Sequence, residues 1–258
     1  MKTVKPYQFF ASVYDEIMGE SPEYRHFVPY LELLLAHYRF RPHRILDVAC
    51  GTGETAVALA MNGYDVMGFD FSPEMVEEAK KKAGQTDAEE WFQVEDMRDF
   101  TVPTPFDLAI SFGDSINYLT SIEDVGNAFG SVNRALRDDG MFIFDLISEL
   151  HILRSFNDVT YRGSHDGCSY VWENTYDSKT NISTSTMKFT VEHPGVVGEK
   201  EYEEVHQQKI YRLDEIIAML EQNGFTVIGR HDEFSLEPAA DSERLFIVAR
   251  RTKTAPGD

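Results

Sequence analysis

Arg44-Ile45-Leu46-Asp47-Val48-Ala49-Cys50-Gly51-Thr52-Gly53 reads as a short apolar strand that runs straight into a glycine turn. An alanine-rich stretch to Met61 follows at helical spacing, Gly63 punctuates it, and residues 65–70 form a second strand. Strand, turn and helix in succession bring backbone N–H groups and a helix N-terminus to the strand's carboxyl end, where open α/β sheets bind ligands. Gly51 and Gly53 allow a ligand close to the backbone. Asp70 closes the second strand beside them.

Outward from this unit, helix-period and strand-period segments alternate. Upstream, Ser21-Pro22 supplies a capping hydroxyl and a proline at the first helical position. Phe27, Val28, Leu31, Leu34, Leu35 and Tyr38 then follow at helical spacing and predict one buried face. Downstream, Ser72-Pro73 opens a helix to about Ala83, and residues 91–94 and 106–112 are strands. Ser121 with Asp124 resembles a capping box that uses the shorter acid, and Gly140 precedes a strand over 141–147. Repeated β–α–β units require crossover connections, hence a parallel sheet with helices on both faces.

The pattern changes from about residue 155. Three strand-like runs, 169–176, 181–192 and 201–211, are separated by loops rich in Gly, Asn, Asp and Pro, as in an antiparallel meander. A helix over 213–223, stopped by Gly224, and two strands over 225–230 and 244–250 complete the chain as a hairpin at the sheet edge. The expected architecture is α/β: a doubly wound, mostly parallel sheet built from residues 1–154 plus 211–258, interrupted by a small antiparallel β insertion over 155–210.

The glycine turn suits two ligands. Gly51-x-Gly53-x-x-Ala56 satisfies the dinucleotide fingerprint with its permitted final alanine. Charge separates the two, because Asp47 would repel the pyrophosphate of NAD and attract the sulfonium and ammonium of S-adenosylmethionine. Asp70 can accept both ribose hydroxyls. Asp96, after the third strand, can accept from the adenine amino group while Met97 packs on the ring, and Phe71 and Phe112 can sandwich the base.

Here a family resemblance enters. Leu46-Asp47-Val48-Ala49-Cys50-Gly51-Thr52-Gly53, Asp70-Phe71-Ser72-Pro73-Glu74-Met75 and Asp96-Met97-Arg98-Asp99-Phe100 resemble the motifs of class I S-adenosylmethionine-dependent methyltransferases. Phe10-Ala11-Ser12-Val13-Tyr14-Asp15, Asp114-Ser115-Ile116-Asn117-Tyr118-Leu119 and Ser242-Glu243-Arg244-Leu245-Phe246 resemble a bacterial subgroup of small-molecule methyltransferases related to amino-sugar N,N-dimethyltransferases. The resemblance covers nearly the whole chain and implies a Rossmann-like, seven-stranded fold with S-adenosyl-L-methionine as methyl donor. It assigns the donor to Tyr14, Asp47, Ala49, Gly51, Gly53, Asp70, Phe71, Asp96, Met97 and Phe112. Ala49 stands where many methyltransferases carry the first glycine. Tyr118 stands where the amino-sugar enzymes carry a histidine, and His206 aligns with a histidine of their insertion.

Composition agrees with a small-molecule enzyme. The chain has 258 residues, 42% hydrophobic and 26% charged, and a net charge of −20. Such a field repels phosphate backbones and anionic headgroups, which argues against nucleic-acid and membrane partners. Cys50 and Cys168 make no disulfide framework, the eight histidines show no metal-ligand spacing, and residues 1–10 lack the apolar core of a signal peptide. The expectation is a cytoplasmic protein without a metal, and a homodimer is an assembly the reading allows.

Methyl transfer needs little beyond aligning nucleophile, methyl group and sulfur away from water. Tyr14 and Tyr118 are the candidates for orienting the acceptor, with Asp114 and His206 behind them. Phenols are weak bases, so an amine acceptor is favoured over a hydroxyl. The insertion is expected to wall the acceptor pocket. Two alternatives remain at this point: a protein that binds S-adenosylmethionine without catalysis, and an NAD(P)-dependent oxidoreductase.

Overall fold

β2 (Arg44–Val48) is buried along nearly its whole length, as Ile45, Leu46 and Val48 require of a strand covered on both faces. It pairs in parallel with β3 (Asp65–Asp70) on one side and β5 (Phe106–Ser111) on the other. The computed structural model describes residues 1–19, 22–84, 91–192, 199–239 and 242–252. Its main sheet has seven strands in the order β11–β12–β6–β5–β2–β3–β4, where β4 is Phe92–Val94, β6 Leu136–Ile147, β11 Phe225–Asp232 and β12 Arg244–Arg251. β12 runs antiparallel to both of its neighbours, and the other pairings are parallel. Strand order reverses between β2 and β5, and this switch point opens the crevice in which doubly wound sheets take ligands.

The two faces of the sheet divide the core by strand periodicity. Ile45, Leu108, Ile110 and Ile143 pack on Phe27, Leu31 and Leu34 of α2 (Pro22–His37) and Leu59 of α3 (Glu54–Met61). Leu46, Ala109, Phe142 and Phe144 face Val125, Phe129 and Val132 of α5 (Ile122–Ala135) and Ile216 and Leu220 of α7 (Leu213–Gln222). Each such side chain contributes about 1.5–3 kcal/mol on full burial. α4 (Pro73–Ala83) starts as its sequence predicts, with the Ser72 hydroxyl accepting from the Met75 amide at 3.2 Å. Ser121 accepts from the Asp124 amide at 3.1 Å, while the Asp124 carboxylate turns to Arg98 at 3.5 Å. The Ser21 cap lies outside the described residues.

Several elements differ from the sequence reading. β6 begins at Leu136 rather than after Gly140: Phe106 pairs with Leu136 and Leu108 with Met141, so the residues between bulge from the ladder. The final hairpin does form one edge of the sheet, with β12 against β6 and β11 outermost. α1 (Tyr14–Met18) is only five residues long and follows a 3₁₀ turn, Phe10–Val13. After β6 a short helix, α6 (Glu149–His151), continues as a π-helical turn over Ile152–Phe156 and leads out to the second sheet.

That sheet has five strands, not three. β7 (Thr160–His165), β8 (Cys168–Asp177), β9 (Ile182–Glu192) and β10 (Glu199–Lys209) form an antiparallel meander, and β1 (Lys2–Thr3) joins β10 in parallel. The chain's first residues are thereby stitched to the insertion. Cys168, Met187 and Phe189 bury against Phe9, Phe10 and Tyr14, so the N-terminal segment is packed on the second sheet through its aromatic side chains.

Candidate functional site

The turn after β2 is held from below by backbone bonds, with the Cys50 amide on the Phe69 carbonyl at 2.9 Å and the Gly53 amide on the Cys50 carbonyl at 3.0 Å. Ala49 sits at φ 60°, in the left-handed region that costs a β-carbon about 1–2 kcal/mol. This is the position at which related motifs carry glycine, and the chain accepts strain there. Gly51, at φ 54°, has open space where a β-carbon would stand. Gly53 differs: a β-carbon there would meet Ala79 at 2.9 Å and Phe92 at 3.0 Å. Its smallness serves packing against α4 and β4, and it is not among the residues that line the cavity.

Above the turn lies a cavity of about 870 Å³. Tyr14, Asp47, Ala49, Gly51, Asp70, Phe71, Asp96, Met97, Phe112 and Tyr118 all line it. Asp47 is 3% exposed, and its Oδ2 has no hydrogen-bond partner among the described residues. Burial, with the Asp70 charge adding to it, pushes its carboxyl up to about 7. Asp70 accepts from the Gly51 amide through Oδ2 and from the Ser72 amide through Oδ1, each at 2.9 Å. Burial raises its pKa, and these amides oppose the rise. Each carboxylate oxygen retains a second acceptor site for a ligand hydroxyl.

Asp96 is gripped by Arg98, with contacts of 2.9 and 2.6 Å, and this pairing lowers its pKa. An adenine amino group would therefore share Asp96 with a guanidinium, a partner that the sequence reading did not assign. Phe71 and Phe112, both in the lining, differ in setting. Phe112 stacks on Phe27 at 5.2 Å and meets Phe246 edge-on at 5.8 Å, while Phe71 is 69% exposed.

The opposite wall comes from the N-terminal segment and from the 3₁₀ turn Ser115–Tyr118. Asn117, fully buried, clamps that turn by donating to the Lys209 carbonyl of β10 and accepting from the Ile147 amide of β6. The clamp carries Tyr118 to β10, where its hydroxyl stands 3.2 Å from His206 Nδ1. Tyr7 closes the cluster, with its hydroxyl 2.5 Å from that of Tyr118 and its ring beside Tyr14. Asp15 of α1 accepts from Thr52 of the glycine turn at 2.6 Å and pairs with Lys82 of α4 at 2.8 Å. Asp114 stays out of the cavity lining and bonds Gln208 and Arg244.

Tyr7 and Glu204 are the functional candidates that the sequence reading missed. Glu204 and His206 alternate on one face of a strand, a two-residue period that could have paired them. Tyr7 carries no local signal, since its placement depends on contacts almost two hundred positions away.

The residues fit a cationic adenosyl ligand. The orphaned, buried Asp47 oxygen needs a positive or donor partner, and a pyrophosphate would add negative charge beside it. Asp70→Ala is expected to weaken S-adenosylhomocysteine binding by about 1.5–3 kcal/mol per hydrogen bond to the charged acceptor lost. Titration calorimetry reads this directly, and an unchanged affinity would remove Asp70 from the ribose site.

Comparison with known proteins supplies the context. Residues 45–140 match a family model described as a methyltransferase domain. A protein of Bacillus subtilis (strain 168) named as a candidate methyltransferase, YqeM, is 36% identical over 250 residues, covering 96% of this chain and 98% of its own. The dTDP-3-amino-3,4,6-trideoxy-alpha-D-glucopyranose N,N-dimethyltransferase of Streptomyces venezuelae is 26% identical over 206 residues, covering 79% and 81%. In fold, an S-adenosylmethionine-dependent methyltransferase from Clostridium acetobutylicum ATCC 824 superposes with a TM-score of 0.82 at 22% identity, over 96% of this chain and 99% of that one. No helix among the described residues is long and apolar enough to cross a membrane.

Proposed function

We propose, from the premise that this chain belongs to the S-adenosylmethionine-dependent methyltransferases, that its acceptor is a small molecule methylated on an amine nitrogen. The observation that carries the amine reading is the charge of the cavity wall. Among the described residues, Asp15, Asp47, Glu54, Asp70, Glu74, Glu95, Asp96 and Asp124 line it against only Lys5 and Arg98. That excess of carboxylates concentrates a basic amine. The amino-sugar dimethyltransferase relative points the same way.

The donor supplies an activated methyl group on a cationic sulfur. Asp47 would hold its positive end, Asp70 the ribose, and Asp96 with Met97 and Phe71 the base. Gly51 leaves the backbone open to it. Tyr14 and Tyr118 would orient the acceptor, and their ring faces suit a sulfonium. The insertion, residues 155–210, would stand behind the acceptor wall: it supplies none of the described lining residues, but the N-terminal aromatics rest on its inner face.

The test is a panel of small amines, including amino-sugar nucleotides and amino acids, run beside matched alcohols with S-adenosylhomocysteine release as the readout. Amines are expected to release it. Release confined to hydroxyl compounds would overturn the amine reading and leave the methyl transfer itself intact.

A further inference from the structure

We propose that Tyr7, Tyr118, His206 and Glu204 form a proton relay, in which the Tyr7 phenol takes the proton the methyl acceptor gives up and passes its own inward. The proposal rests on the methyl-transfer reading of the cavity but not on the acceptor's being an amine.

The relay takes His206 as neutral, and the direction of each proton then follows from the partner at the buried end. Glu204 is 0% exposed and accepts the backbone N–H groups of Tyr7 at 2.7 Å, Phe9 at 2.6 Å and Phe10 at 2.9 Å. A carboxylate in that setting is an acceptor only. His206 Nε2, 3.0 Å away, must therefore be the donor. A neutral imidazole with its proton on Nε2 presents a lone pair at Nδ1. The Tyr118 hydroxyl at 3.2 Å donates to that lone pair, and the Tyr118 oxygen accepts from Tyr7 at 2.5 Å. The whole chain of donors thus points from the cavity toward Glu204, and both phenols line the cavity.

The backbone of Tyr7 supports a role beyond packing. It sits at φ 64°, a conformation that is a genuine outlier for a bulky residue. Glu204 holds it there by accepting its amide, and strain of this kind gathers where a side chain must be aimed. His206 is 4% exposed, and its ring lies edge-on to Tyr7 at 4.8 Å. Three amide bonds to Glu204 already fasten the N-terminal segment. The imidazole adds no backbone contact, but it connects the carboxylate to the phenols.

The relay balances without a free phenolate. The acceptor's N–H or O–H proton passes to the Tyr7 oxygen as the Tyr7 proton passes to Tyr118 and the Tyr118 proton to His206 Nδ1. The electron pair left on the acceptor forms the new bond to the methyl carbon, and the broken carbon–sulfur pair stays on the departing thioether. The imidazolium is held against Glu204 in a charge-assisted hydrogen bond and returns its proton through the same chain to solvent when product leaves. Glu204 and His206 act through the phenols and are positioning residues. Tyr7 is the group that meets the acceptor.

Two measurements test this. In wild-type protein saturated with S-adenosylhomocysteine, ¹⁵N NMR of labelled histidines should show His206 neutral with its proton on Nε2, the signal being assigned by its loss in His206→Gln. A proton on Nδ1, alone or with one on Nε2, overturns the relay, and this arm needs no turnover. The second uses whichever amine or alcohol releases S-adenosylhomocysteine in the screen above. Tyr7→Phe and His206→Gln should slow single turnover about 10²-fold, the scale of lost acid–base assistance. Acceptor KM and S-adenosylhomocysteine Kd should stay within three-fold. The rate in H₂O/D₂O mixtures should change from a bowed dependence, reporting several protons, to a linear one. Single-turnover rates within two-fold of wild type with unchanged curvature overturn the proposal. An alcohol acceptor would end the amine reading and leave the relay standing.

Discussion

Asp47→Asn is expected to make the ligand-free protein more stable and its hold on the methyl donor weaker. The stability gain follows from burial. Each pKa unit corresponds to 1.36 kcal/mol, so the rise from the ordinary 3.8 to about 7 corresponds to at most about 4 kcal/mol of destabilisation. The sign is fixed by linkage: the folded state holds this proton more tightly than the unfolded chain. Stability therefore falls as pH rises from about 4 to about 7 and is flat above that. Asparagine keeps the shape without the charge, and the variant should gain on the order of 2–4 kcal/mol above pH 7 and little near pH 4. Denaturant melts at pH 8 and pH 4.5 check this. Binding moves oppositely. The donor's cationic end selects the ionised carboxylate, so wild-type affinity should fall about ten-fold per pH unit below 7, and the fall should flatten in the variant. A variant that bound S-adenosylmethionine as tightly as wild type at pH 7.5 would show that Asp47 does not meet its charge.

The residues proposed to hold the donor could be grouped from sequence because they are close along the chain. Asp47, the glycine turn and Asp70 belong to one strand–turn–helix–strand unit, and short-range rules fix where their backbones point. The Gly51 amide meets Asp70 because β2 and β3 pair in parallel register. Even here local reading misses detail. Gly53 has the spacing of a ligand contact, yet the space beside it is filled by Ala79 and Phe92, which no pattern around residue 53 reveals. Arg98, two residues from Asp96, was visible but was not weighed as its partner.

The acceptor half was legible only in outline, for a physical reason. β7, Thr160–His165, is a mostly exposed edge strand without alternating apolar residues, and β1 has two residues, so neither carries a periodic signal. The contacts that aim Tyr7 and Tyr118 are tertiary: Glu204 to the N-terminal amides, Asn117 to strands β6 and β10. Their residue types are ordinary, and what distinguishes them is burial among partners far off in sequence.

Arg244→Ala should produce the largest loss of stability, about 3–5 kcal/mol, because it strips the partner from a buried carboxylate. Arg244 of β12 bonds Asp145 of β6 closely, reaches Asp114 at 2.9 Å and stands 3.9 Å from Glu233. Asp145 is fully buried, and its second oxygen has no hydrogen-bond partner among the described residues. Burial already raises its pKa while Arg244 holds it down, so removing the arginine drives it higher still. The cost should be largest at alkaline pH, where Asp145 must ionise, and should shrink as pH falls toward 5 and the carboxyl takes up its proton. For a chain of this size the melting point should drop by about 10 °C at pH 8. Adding Asp145→Asn should restore much of that loss, since the uncompensated charge is what costs rather than the missing contacts. The effect should reach the active site. Asp114 sits at φ 54° with its amide on Asp145 at 3.1 Å and its carboxylate bridging Arg244 and Gln208. It is the residue from which the Ser115–Tyr118 turn departs. Loosening it should let Tyr118 wander and lower the methylation rate, while donor affinity, proposed to rest on Asp47 and Asp70, should be kept. Thermal melts of single and double variants across pH 5–8, with S-adenosylhomocysteine calorimetry alongside, decide it. An Arg244→Ala protein as stable as wild type at pH 8 would mean that Asp145 is neutral in the native fold.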